Sequence, residues 1–153
     1  RRYPDRPLLM DGEQGKALAN FARHFAQAAI SAVAFKAVIL DIFNAIDEKD
    51  RAYFRKSREE RIGKTLEAFA ISEADAQAQM RVALSPLRAL LQEQVFINGA
   101  KPAWADYCVF GSFMWMRNVS PKKFLMEDDP VYAWRERMLD LYGGLARKSK
   151  RAA

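Results

Sequence analysis

At 153 residues, half of them apolar and 29% charged, the chain has the size and composition of a single globular domain, which excludes a disordered segment. Lys and Arg number 25 against 19 acidic residues, a formal charge of +6, but several of the extra cations sit at Arg1-Arg2 and between Arg147 and Arg151. No basic face of the kind nucleic-acid binding needs is evident within the fold, and the single cysteine, Cys108, excludes an intramolecular disulfide.

The opening Tyr3-Pro4-Asp5-Arg6-Pro7 is too proline-rich for a helix or a central strand, so residues 1–10 read as a linker. A helical domain is expected over 11–147 and a basic tail over 148–153. Asp11 with Gln14 makes a capping box, after which Leu18, Phe21, Phe25, Ala28, Ala32, Phe35, Ile39, Ile42 and Ile46 recur at steps of three and four. This predicts one long helix, bent or broken at most once. Its most apolar run, Ile30 to Ile46, is short and interrupted by Lys36 and Asp41, so it reads as a buried helix and not a membrane span. With no secretory signal recognisable, a soluble cytoplasmic protein is expected, engaging neither membrane nor nucleic acid.

A second helix is predicted from about Glu48 to Ala70, burying Phe54, Ile62, Leu66 and Phe69 and turning Arg51, Arg55, Arg58, Arg61 and Lys64 to solvent. Ser72 with Asp75 caps a third, in which Met80, Leu84, Leu87 and Leu91 keep helical spacing through Val95. Pro86 lacks an N–H and crowds the preceding turn, so a kink near Ser85 is expected. The Asn98-Gly99 turn leads to a fourth helix, from near Ala103 to near Asn118. Asp128-Asp129-Pro130 starts a fifth, which buries Val131, Trp134, Met138, Leu141 and Tyr142 and stops at Gly143-Gly144. Sustained apolar–polar alternation is absent from the sequence. The expected fold is therefore all-α, a bundle of five to six helices with a long first helix and a central buried helix near 103–118.

Chemistry-bearing constellations are sparse. His24 is the only histidine and has no Cys or carboxylate at metal-ligand spacing beside it, so no metal is expected. Cys108 sits in an apolar helix with no histidine partner, and reads as packing more than as a nucleophile. The methionines at 80, 114, 116, 126 and 138 read as core filling. The sequence holds neither a glycine-rich phosphate loop nor a Ser-His-Asp set, so no catalytic residue is assigned to it.

The stretch Phe96-Ile97-Asn98-Gly99-Ala100-Lys101-Pro102-Ala103-Trp104-Ala105-Asp106-Tyr107 resembles the segment of glutathione transferases that enters their central buried helix. There a Ser or Thr opens a Ser/Thr-x-x-Asp box; here Ala103 stands in its place and only Asp106 remains to cap the helix. Tyr3 to Leu9 is similar to the linker after the thioredoxin-like domain of that family, and Asp128 to Arg137 to its last helix. Tyr53 to Arg61, with Thr65-Leu66-Glu67, resembles the microbial branch that includes β-etherases.

The resemblance implies the all-α C-terminal domain of a glutathione transferase. The thioredoxin-like N-terminal domain, absent from this chain, would be its partner, holding the co-substrate glutathione and the group that ionises the thiol. The full-length protein would be an enzyme, commonly a homodimer, used in conjugation, detoxification or ether cleavage; the isolated fragment would be inactive. The chain would supply the wall of a pocket for a hydrophobic electrophile. Small residues Ala28, Ser31 and Ala32 on the first helix, and Cys108, Gly111 and Ser112 on the fourth, closed by Trp115, can leave such a groove, or can simply let two helices pack closely. The alternative is a non-catalytic interaction module of the same fold, with Arg51, Arg55 and Arg58 as its binding face.

Overall fold

The computed structural model describes residues 9, 10 and 12–151; Asp11, whose capping box was expected, and residues 1–8 of the linker lie outside them. Helix α1 (Gly12–Phe25), a π-helical stretch (Ala26–Ser31) and α2 (Ala32–Ala45) run on as one rod of 34 residues. The buried residues Ala22, Ala26, Ile30 and Ala34 fall at three successive steps of four. On an ideal α-helix those steps would carry the stripe about 120° around the axis, and the looser π winding takes up that drift. The rod is long and apolar enough to cross a membrane by those two criteria. Here it serves as a core helix, its buried side set by Ala19, Ala22, Ala26, Ile30, Ala34, Ala37 and Val38.

The single helix expected over Glu48 to Ala70 is cut in two. α3 (Glu48–Ile62) stops at Gly63, whose φ of 75° is left-handed and whose N–H reaches the Glu59 carbonyl at 2.8 Å. Thr65 then caps the single turn α4 (Leu66–Phe69), its hydroxyl accepting from the Ala68 N–H at 3.2 Å. The kink near Ser85 is likewise a break: α5 (Glu73–Ala83), capped by Ser72 on the Asp75 N–H, ends at Leu84, and Pro86 lies in the first turn of α6 (Ser85–Glu93). Seven helical bodies result among the described residues, the rod counted as one, because Gly63 and Pro86 each divide a predicted helix.

α7 (Trp104–Val119) is the central helix, and α8 (Pro130–Gly144) closes the bundle. Trp134 of α8 is wholly buried, edge-on to Phe110 at 6.3 Å and to Phe113 at 6.1 Å. An indole of that size contributes roughly 4–6 kcal/mol of gross burial energy. Past Met138 and Leu139, Leu141, Tyr142 and Gly143 leave helical geometry, with φ of 53° at Tyr142. That left-handed turn swings Tyr142 outward, so it is exposed where the sequence pattern had it buried, and its hydroxyl meets that of Tyr107 at 3.0 Å.

Asp106 fixes the entry to α7. Its carboxylate is fully buried and accepts from the N–H groups of Ile97 (2.7 Å), Asn98 (3.2 Å) and Ala103 (3.1 Å), and from the Trp134 indole (2.9 Å). One side chain thus ties the preceding loop, the mouth of α7 and the middle of α8 together. Ala103 has no acceptor to complete the reciprocal half of the box.

Candidate functional site

The rod and α7 meet along small side chains, and one polar contact marks the crossing: the hydroxyls of Ser31 and Ser112 lie 3.5 Å apart. Ser31 closes the π-helical stretch. Beside this crossing opens a groove of about 540 Å³, bordered by Gln27, Ser31, Ala32, Phe35 and Lys36 of the rod and by Trp115 of α7. Arg61 and Phe69 complete it from α3 and α4.

The groove has two characters. Trp115, Phe35 and Phe69 make one aromatic side, with Phe69 edge-on to Phe35 at 5.7 Å. Lys36 and Arg61 add two cations to its border, the Arg61 guanidinium lying over the Phe35 ring, 5.8 Å from its centre. A flat apolar or aromatic molecule can lie against the rings, and an electron-rich or anionic substituent would find the cations.

Of the residues singled out from sequence, Ser31, Ala32 and Trp115 border this groove, and Ser112 adjoins it through Ser31. Ala28 is exposed and Cys108 half-buried, and neither borders it. Burial pushes the Cys108 thiol above its ordinary pKa, against the opposing pull of Arg23, so the thiol is held protonated. His24 is exposed, one ring nitrogen 3.2 Å from Arg23. Among the described residues no group of three or more His, Cys, Asp or Glu is gathered that would hold a metal.

Sequence reasoning missed Gln27, Phe35, Lys36, Arg61 and Phe69 as groove residues. Phe69 reaches the groove because α4 is a separate turn, pinned where the Ile71 N–H donates to the Lys36 carbonyl at 3.2 Å. The Gly63 and Thr65 punctuation was the signal that could have found it. The arginine face has other occupations: Arg55 is paired with Glu59 (2.9 Å) and Glu67 (2.7 Å), Arg51 donates to the Asn44 carbonyl, and Arg58 lies over the Phe54 ring.

The family profile described as "Glutathione S-transferase, C-terminal domain" matches residues 17–136, most of the chain. The chain belongs to that family. Among solved structures, glutathione transferase GSTFuA3 from Phanerochaete chrysosporium is similar with a TM-score of 0.67 at 23% identity, over 94% of this chain and 55% of that one. The chain thus spans about half the length of that protein, and shares its helical fold.

Proposed function

We propose that this domain forms the electrophile-binding wall of a glutathione transferase, with glutathione and the thiol-activating group supplied by a thioredoxin-like domain joined through the linker over residues 1–10. The reaction would be conjugation of a hydrophobic electrophile, or thiolate displacement at an ether carbon as in β-etherases, in a cytoplasmic, homodimeric enzyme. The observation that carries this reading is the groove itself: three aromatic rings, Trp115, Phe35 and Phe69, beside two cations, with small side chains at Ser31 and Ala32 that leave the space open. In this arrangement the chain's own residues bind and orient. The rings hold the apolar body of the substrate, and Arg61 and Lys36 stabilise electron density leaving the attacked carbon.

The test is Trp115→Ala in the full-length enzyme, assayed with a chloronitrobenzene electrophile. Loss of one stacking partner, roughly 1.4 kcal/mol, should raise KM for the electrophile about tenfold. KM for glutathione should stay within about twofold, since removing a contact to one substrate leaves the other's binding alone. An unchanged electrophile KM in a folded variant would refute the assignment of the groove.

A further inference from the structure

A second cavity, sharing no residue with the groove, lies between the C-terminal end of α7, the loop that follows it, and α8. Its volume is about 380 Å³, and six cations border it: Arg117, Lys122, Lys123, Arg135, Arg147 and Arg151. The carboxylates on its wall are Glu127 and Glu136. Two more reach in from outside, Asp41 on Lys122 and Asp140 on Arg147, each at 2.7 Å. Glu73 adds a fifth carboxylate where it accepts from the Lys123 N–H, so six positive charges face five negative ones around one concave space.

The excess is localised. Arg117 has no carboxylate partner among the described residues; its guanidinium is held by the main-chain carbonyls of Arg147 and Ser149 and by the Ser149 hydroxyl. Lys123 is exposed and makes no ion pair among the described residues, its backbone N–H and carbonyl being taken by Glu73 and Gln77. Burial, and after it the nearby charges of Arg151, Arg147 and Arg135, pull the Arg117 pKa below its ordinary value. A cluster of like charges held together in this way is stabilised by an anion placed among them. Phe113 and Leu139, both buried, form the apolar floor, and Tyr132 stands at the wall under the Arg135 guanidinium at 4.4 Å.

We propose that this cavity binds a small soluble organic phosphate, its dianionic head between Arg117, Lys123 and Arg151 and its apolar body toward Phe113 and Leu139. A phosphate monoester carries a charge near −2 at neutral pH and three strong acceptor oxygens, which suits Arg117, Lys123 and Arg151, three cations without a carboxylate partner among the described residues, and the fork geometry of arginine. The concave shape favours a small molecule over the long, flat track a nucleic-acid backbone needs.

The experiment is calorimetric titration of phenyl phosphate, inorganic phosphate and phenol into the intact protein at pH 7.5 and low salt, repeated with Lys123→Gln and Arg151→Gln. Both side chains are exposed, so the two variants should melt with the native protein. Phenyl phosphate should bind one-to-one, more tightly than inorganic phosphate, phenol should not bind, and each variant should weaken phenyl phosphate about five- to tenfold. The proposal is overturned if phenyl phosphate gives no saturable binding, if both variants bind it as well as the native protein, or if phenol binds as tightly. Equal affinity for inorganic phosphate would remove the organic part. A single-stranded oligonucleotide that binds more tightly and is weakened by the same two substitutions would make the cavity part of a nucleic-acid surface and overturn the small-molecule assignment.

Discussion

Replacing Asp106 with Ala removes one acceptor from four donors at once. Two of those donors, the Ile97 N–H and the Trp134 indole N–H, belong to buried residues and have no water to turn to; those of Asn98 and Ala103 lie nearer the surface. A buried donor left without a partner costs about 1–3 kcal/mol, and loss of a helix-mouth acceptor adds about 1 kcal/mol, so the expected loss is roughly 3–7 kcal/mol. Against a total stability of about 5–15 kcal/mol for a domain, such a loss leaves the variant at the edge of folding. Asp106→Asn separates the contributions. Its remaining oxygen can stay at Oδ1, serving Ile97 and Trp134, while its amide faces the Asn98 and Ala103 N–H groups that Oδ2 now serves. The expected order is therefore native, then Asn, then Ala. Urea unfolding followed by far-UV circular dichroism and by indole fluorescence measures both variants. A loss below about 1 kcal/mol for Asp106→Ala would refute the claim that this carboxylate organises the α7 entry.

Other consequences are simpler to check. Arg55 holds the Glu67 carboxyl down from 4.5 to about 2, so the pair's stabilisation is complete above about pH 4.5 and is lost as pH falls toward 2. Both side chains are solvent-accessible, so Arg55→Gln, or added salt, should flatten that part of the acid-unfolding curve, and an identical curve would contradict the pairing. Gly111 lies inside α7 with open space where a Cβ would stand, so Gly111→Ala should raise stability by about 0.5–1 kcal/mol in denaturant unfolding. Ser72→Ala removes the hydroxyl that accepts from Asp75 and should cost about 1 kcal/mol by the same measurement. Cys108, with its thiol held protonated by burial, should be alkylated by iodoacetamide at pH 7.5 more slowly than a free cysteine, and equal rates would place it in a different environment.

Local signals carried the sequence a long way. The 3.6-residue period and the Ser72 and Asp129 caps are short-range chemistry, and α5, α7 and the start of α8 lie where these signals put them, while regular geometry in α8 ends at Leu141, two residues ahead of the expected Gly143-Gly144 stop. Asp106 was legible as a cap because its reach to Ala103 is local. Its bond to Trp134, 28 residues on, was not. The π winding between Ala26 and Ser31 leaves no compositional mark, since Ala, Gln, Ile and Ser are ordinary helix residues, and the stretch packs against α5 and α7, which lie far from it in sequence. The groove divides the same way: Ser31, Ala32 and Trp115 share helix faces that spacing exposes, whereas Phe69 and Arg61 arrive through a turn that only Gly63 and Thr65 announce. The Asp41–Lys122 pair, which joins α2 to the loop after α7 with a bond to Ser120, spans 81 residues and has no sequence pattern at all.

The π stretch lets the rod carry one residue more than a plain α-helix would need between the same two faces. Removing a single residue between Ala26 and Ser31 and rewinding the rest as plain α-helix would leave the two halves in nearly the same rotation, because the shorter stretch at about 100° per residue turns about as far as the longer, looser one. Ala19 and Ala22 would stay on the buried side with Ala34 and Val38. The same deletion in the α-helical part on either side would turn one half by about 100° and part the two faces.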